Sequence, residues 1–349
     1  MKSYAYLLIA LFIVATSCQK DFSNVEIPPL GCTEDLSENS FEITIQDKFV
    51  ELPGKVSVFF KVDRKDGKPV AKLRNNDFSV YEKGKNDDCF KTISAFESNA
   101  RISPNQQIFK YSTMLVLDLS GSVLQGSFYE LKNATKQFIQ SIIYRNDDAT
   151  EIGIWWFDGE DKLHELQDFT ENTSLLLSKV DKLDPNMSND PSTDLYGAVL
   201  KSTVIADDHL AGYLNKGTIA ASSVVVFTDG TDQAARHSKD EAIRAVKSSD
   251  ASINYFTIGL GNEIDTKVLS ALGPAGTIIA DSNQDLEEKF KETADLVFDE
   301  ANSYYLFEYC SPKRDGSGVN ELVLQVSSDG LKGYAKTEFD ATSFESGCN

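Results

Sequence analysis

Met114-Leu-Val-Leu117 runs directly into Asp118-Leu-Ser-Gly-Ser122, and the junction between them decides the fold. The unbroken apolar run suits a strand buried on both faces, the form parallel strands take beneath covering helices. Beyond the turn, Phe128, Leu131, Thr135, Phe138, Ile139, Ile142 and Ile143 fall on one stripe of a helix. One carboxylate and two hydroxyls therefore crowd a strand-to-helix turn at the C-terminal edge of a parallel sheet, where open α/β sheets bind their ligands. Oxygens at alternate positions suit a hard cation such as Mg2+, which takes oxygen at about 2.0–2.1 Å in an octahedron.

Working outward, Val224-Val-Val-Phe227 is a second buried-strand run and ends in Thr228-Asp229-Gly230. Between the two, Pro191-Ser-Thr-Asp-Leu195 leads into a helix expected to reach about His209. Glu151 to Phe157 reads as another strand, Lys162 to Leu166 as a short edge partner, and Asn172 to Leu183 as a helix. Ser252 to Ile258 and Gly276 to Ala280 are further strands, and Leu286, Phe290, Ala294, Val297 and Ala301 mark a closing helix. Strands alternating with helices predict a doubly wound, mostly parallel α/β sheet with both faces covered. Adjacent residues on a strand face opposite ways, so Trp155 and Trp156 are expected to pack under helices on different faces rather than to form one binding platform.

The ordered set of Asp-x-Ser-x-Ser, a threonine before a helix, and a strand ending in Thr-Asp-Gly resembles the von Willebrand factor type A domain. The resemblance covers about Lys110 to Ser303. It implies a Rossmann-like fold and a metal-ion-dependent adhesion site whose ligands fall on Asp118, Ser120, Ser122, Thr193 and Asp229. The implied cofactor is Mg2+ or Mn2+. The implied partner is a protein that presents an acidic residue to an open coordination position. One departure stands in the middle motif, where Pro191-Ser192 replaces the glycine-rich approach common in the family.

The N-terminus reads as an address. Lys2 precedes an apolar core, Tyr6 to Val14, that has signal-peptide length and is short for a membrane span. Ala15-Thr-Ser-Cys18 resembles the lipobox of bacterial lipoproteins, which makes residues 1–18 the signal and Cys18 the lipidated residue. Gln19-Lys-Asp21 resembles a short tag that directs some lipoproteins to the outer face of the outer membrane. Residues 19–40 are expected to be a tether. Four further cysteines, Cys32, Cys89, Cys310 and Cys348, suggest two disulfides in an exported protein. Nested pairs, Cys89–Cys310 with Cys32–Cys348, and local pairs, Cys32–Cys89 with Cys310–Cys348, are both open. The nested pairs would tie flank to flank.

Residues 41–109 and 304–349 have a different texture from the centre, with short alternating runs and Asp-Gly turns at Asp66-Gly67, Asp315-Gly316 and Asp329-Gly330. Neither flank holds enough strands for a sturdy sheet alone. We expect them to pair into one β-sandwich with the type A domain, residues 110–303, inserted between them.

Composition narrows the function. Apolar residues make up 41% of the chain and charged residues 25%, an ordinary globular balance, and the net charge of −20 disfavours nucleic acid and anionic lipid surfaces as direct partners. Gly259-Leu-Gly261 lacks the third glycine of a dinucleotide fingerprint, so no nucleotide is expected. Ser120 lies outside a Gly-x-Ser-x-Gly elbow, and His164, His209 and His237 sit in no motif that ties them to a nucleophile, so catalysis is not expected. The sequence thus points to a lipid-anchored, divalent-metal-dependent adhesion module of the bacterial envelope. A metal-independent scaffold subunit is the alternative, and a metal-assisted hydrolase is less favoured.

Overall fold

The computed structural model describes residues 40–94, 101–103, 109–143, 150–314 and 318–345. The expected signal peptide, Cys18, Cys32, Cys348, Asp315 and Gly316 lie outside them. The first strands are β1 (Phe41–Glu51), β2 (Lys55–Arg64), β3 (Phe78–Lys83), β4 (Lys91–Thr92) and β5 (Arg101–Ser103). Alternation begins with β6 (Phe109–Asp118), α1 (Gly121–Gly126), α2 (Phe128–Ile143), β7 (Thr150–Phe157), β8 (His164–Thr170), α3 (Thr173–Asp181) and α4 (Leu195–Leu214). It continues through β9 (Ile219–Thr228), α5 (Lys239–Ser248), β10 (Ile253–Leu260), α6 (Thr266–Leu272), β11 (Gly276–Ala280) and α7 (Leu286–Ala301). Three strands follow: β12 (Tyr304–Cys310), β13 (Val319–Ser328) and β14 (Leu331–Asp340).

The central sheet has the order β11-β10-β9-β6-β7-β8. All its pairs are parallel except the edge pair β7–β8. The period-2 geometry of a strand divides its side chains between two cores. Leu115 and Leu117 of β6 join Phe138, Ile139 and Phe290 under α2 and α7, while Met114 and Val116 join Val199, Ala206 and Leu269 on the other face. Trp156 and Trp155 divide in the same way, as their adjacency requires.

Local signals set the helix starts. Asn172 accepts a hydrogen bond from the Leu175 N–H at 2.9 Å, and Ser238 and Glu241 exchange the reciprocal bonds of a capping box. The α4 helix runs beyond His209 to Leu214 because buried Leu210 continues the apolar stripe begun by Ala198, Val199 and Ala206. The edge strand begins at His164 rather than Lys162. Its imidazole lies flat on the Trp156 indole, 3.8 Å between ring centres and 5° from parallel, which fixes the register Trp156↔His164.

The flanking segments build two antiparallel sheets, β1-β2-β12-β5 and β14-β13-β3-β4, and each mixes strands from before and after the central region. They enclose one core in which Phe60, Val80, Phe307 and Leu324 meet. The Asp329-Gly330 turn joins β13 to β14 with both residues at positive φ, 53° and 77°, the conformation a two-residue hairpin needs. Asp66-Gly67 also turns the chain, but only one bridge, Asp63↔Pro69, follows it, since proline has no N–H to extend a ladder.

The sheet holding β2 and β12 is buried on both faces. Val58 and Phe60 point into the sandwich, while Phe59 points the other way into the central core. Likewise Tyr305 and Phe307 face the sandwich, and Tyr304 and Leu306 face the central domain. Lys61 of β2 reaches across this seam to Glu300 of α7 at 2.6 Å. Cys89 and Cys310 each take part in a disulfide. Among the described residues, no helix is long and apolar enough to cross a membrane.

Candidate functional site

Three parallel neighbours, β6, β7 and β9, each deliver an aspartate at or just past their C-terminal ends: Asp118, Asp158 and Asp229. Two of the three meet through hydroxyls. The Ser120 N–H donates to Asp118 Oδ1 at 2.8 Å, and Thr228 Oγ1 donates to Asp118 Oδ2 at 2.7 Å. Ser122 Oγ donates to Asp229 Oδ1 at 2.9 Å and lies 3.3 Å from Ser120 Oγ. Asp118, Ser120, Ser122 and Asp229 are therefore one connected cluster of oxygens at the sheet edge. Asp118 and Ser120 are fully buried, and Ser122 opens to solvent.

Thr193 comes from the third loop. Its carbonyl accepts from the N–H groups of Gln233 and Ala234, at 2.9 and 3.0 Å, which fastens it to the segment after Asp229. On the other side, the Gly121 N–H donates to the Pro191 carbonyl at 2.8 Å, which fastens the same loop to the first motif. The Thr193 side chain is buried, and its hydroxyl makes no hydrogen bond among the described residues. The proline at 191 finds its space because residue 121 lacks a side chain. A Cβ at Gly121 would sit 2.9 Å from Pro191 Cβ. The small residue the middle loop lacks is supplied by the first motif.

The electrostatics are one-sided. Burial pushes the Asp118 carboxyl up to about 7, and the neighbouring Asp229 charge pushes the same way. Burial also raises Asp229, and Glu263 adds to the rise. Among the described residues no lysine, arginine or histidine pairs with either carboxylate. A buried carboxylate, Asp118, and a half-buried one, Asp229, with hydroxyls around them and no basic partner form an oxygen donor set that lacks a positive charge. A hard divalent cation fits that deficit, and Asp118, Ser120, Ser122, Thr193 and Asp229 are the residues that could hold it.

The support under the middle loop was not legible from the motifs. Asp158 Oδ2 accepts from Ser188 Oγ at 2.8 Å and from the Asn189 N–H at 3.2 Å, while its own carbonyl accepts the Asp194 N–H at 2.9 Å. A Cβ at Gly159 would collide with Ser192 Oγ and the Asp190 carboxylate, so the loop packs directly on the glycine backbone. The available signal was a strand run followed by Asp-Gly, the same grammar as Asp229-Gly230. The Thr-Asp-Gly motif likewise gives Thr228 no evident role by itself. In the fold it is the donor that orients Asp118.

The model of the von Willebrand factor type A domain family matches residues 114–296, more than half of the chain. The chain belongs to this family. Solved structures similar to it include a type A protein from Catenulispora acidiphila, 12% identical with a TM-score of 0.46, covering 91% of this chain and 76% of that one. The manganese-loaded TRAP protein of Plasmodium vivax is 15% identical with a TM-score of 0.47, covering 71% and 99%. The vWF domain of the type V pili tip protein Mfa5 from Porphyromonas gingivalis is 13% identical with a TM-score of 0.41, covering 54% and 95%. No match was found among curated protein sequences. Within the type A domain, the matched segment takes in Asp118, Ser120, Ser122, Thr193 and Asp229.

Proposed function

We infer that this type A domain is a protein-binding module that uses a divalent cation, Mg2+ or Mn2+, to recognise an acidic residue of a partner. The observation that carries the reading is the uncompensated pair Asp118 and Asp229, linked by Ser120 and Ser122 at a sheet edge that Thr193 also reaches. When bound, the cation supplies a net positive charge and a coordination position open to a partner's carboxylate. The chain's own groups do the positioning. Thr228 holds Asp118 from behind, Ser122 steers Asp229, and the clamps on Pro191 and Thr193 keep the three loops in register. Neutral hydroxyls orient a cation without cancelling its charge, which suits recognition better than a fully anionic cage.

We propose further that lipidation of Cys18 anchors the chain to the bacterial envelope, with the outer membrane as the destination suggested by Gln19-Lys20-Asp21. The flanking cysteines are proposed as two disulfides of an exported protein, in keeping with the oxidised state of Cys89 and Cys310. The test combines melting and capture. Mg2+ or Mn2+ is expected to raise the melting temperature, and Asp118→Ala or Asp229→Ala to abolish the rise. An unchanged melting temperature in the unsubstituted protein counts against a cation site. Partner capture that persists in chelator and survives Asp118→Ala assigns the metal-independent scaffold role instead. Cys18→Ala releases the protein from membranes, and unchanged membrane pelleting removes the anchor.

A further inference from the structure

We propose that Asp158, Glu160 and His164 form a second divalent-cation site, of the type that takes zinc, beside the first and distinct from it. The donor atoms of the three residues lie within 4.8 Å of one another. His164 Nε2 is 3.3 Å from Glu160 Oε2 and 3.9 Å from Asp158 Oδ1. A tetrahedron with bonds of about 2.0–2.1 Å has edges of about 3.4 Å, so these spacings bracket a zinc coordination edge.

An independent observation comes from the ring itself. His164 Nε2 is sealed from solvent and makes no hydrogen bond, despite the two carboxylates beside it. A buried ring nitrogen that makes no hydrogen bond, although Glu160 Oε2 lies 3.3 Å away, is costly, and a cation on its lone pair removes the cost. The ring is already fixed for that task by its stacking on Trp156. Imidazole with two carboxylates is a donor set that suits zinc over Mg2+. No lysine or arginine forms an ion pair with Asp158 or Glu160 among the described residues, although the Lys162 ammonium acts on His164 from nearby. The nearby trio Asp161, Asp194 and His237 differs on this point. Lys201 lies 2.5 Å from Asp161 and 3.5 Å from Asp194, so an ammonium already neutralises it.

The position gives the site a use. Asp158 Oδ1 accepts the Glu160 N–H at 2.9 Å and lies 3.9 Å from the imidazole, while Oδ2 holds the turn at Ser188 and Asn189 that leads to Thr193. A cation on Asp158 would brace the loop that carries one ligand of the first site. Three protein donors would leave a fourth position for water or a further ligand.

The experiment is zinc titration by calorimetry on the full chain carrying Asp229→Ala, which disables the first site and leaves the second trio intact. One zinc per chain is expected to bind. Adding His164→Ala, or Glu160→Gln, which preserves side-chain shape, is expected to weaken binding by at least about tenfold. His237→Ala is expected to leave it unchanged. Absence of stoichiometric binding in the Asp229→Ala chain overturns the proposal. So does zinc affinity that is unchanged by Glu160→Gln at an unchanged melting temperature, or affinity that falls with His237→Ala instead. Because the background lacks Asp229, each outcome is independent of whether the first site binds a cation.

Discussion

Asp118 shows how one residue couples fold, charge and ligand. Its buried carboxyl, raised to about 7, holds a proton in the cation-free protein at mildly acidic pH. A cation must displace that proton. Affinity for Mn2+ is therefore expected to rise by about tenfold per pH unit up to about pH 7 and then level, as titrations across that range will show. Stability has the opposite sign. A carboxyl whose folded pKa exceeds its unfolded value stabilises the fold while protonated, and this contribution is lost as pH rises to about 7. The cation-free protein should thus lose stability from this group between about pH 4 and about pH 7, and the gain in melting temperature from the cation should grow over the same interval. Gly159 offers a steric test at the same scale. Gly159→Ala places a methyl group against Ser192 and Asp190. It is expected to cost about 1–3 kcal/mol in chemical denaturation and to weaken the cation-induced rise in melting temperature.

At the scale of elements, the strand ends do the assembling. Thr228 closes β9 and points Asp118 of β6, so Thr228→Val should keep both strands while lowering cation affinity by about tenfold in a titration. This division explains what could be read from the sequence. Buried runs such as Val224 to Phe227 announce parallel strands because covering helices force them to be apolar throughout, and Asp-x-Ser-x-Ser announces a turn full of oxygen. Element types were legible for that reason, as was the gathering of Asp118, Ser120, Ser122 and Asp229 at the strand ends. The end of α4 was not, because apolar residues on its core-facing stripe continue past the expected stop at His209. Asp158 was missed because its partners, Ser188 and Asn189, come from a loop with no periodicity. The zinc-type trio was missed because His164 becomes a neighbour of Asp158 only through the antiparallel register of β7 and β8.

Across the whole molecule, the sheet of β2 and β12 serves as a wall common to two cores. Sequence alternation announced strands in the flanks, but not that both faces of this sheet would be covered. Phe59 and Tyr304 stack across neighbouring strands at 5.6 Å on the face that meets the central domain. Phe59→Ala is expected to cost about 3–5 kcal/mol and to lower the melting of both cores together, followed by far-ultraviolet and near-ultraviolet circular dichroism. The Lys61–Glu300 pair adds a charge across the seam. Burial raises the Glu300 carboxyl, and Lys61 opposes the rise. Lys61→Met should cost about 3–5 kcal/mol near neutral pH by leaving that carboxylate buried alone. The penalty should shrink as the pH is lowered, because burial helps the Glu300 carboxyl take up a proton, and urea unfolding at neutral and acidic pH measures the difference.

The pairing of β5 with β12, Leu306 opposite Ser103, has a consequence for the order in which the chain assembles. Bringing those strands together from an unfolded chain means closing a loop of roughly two hundred residues. If the inserted domain folds first, its own compaction delivers the two ends to each other, and the sandwich has only a short gap left to close. The expected route is therefore from the inside outward, with the outer sheets waiting on the domain they enclose.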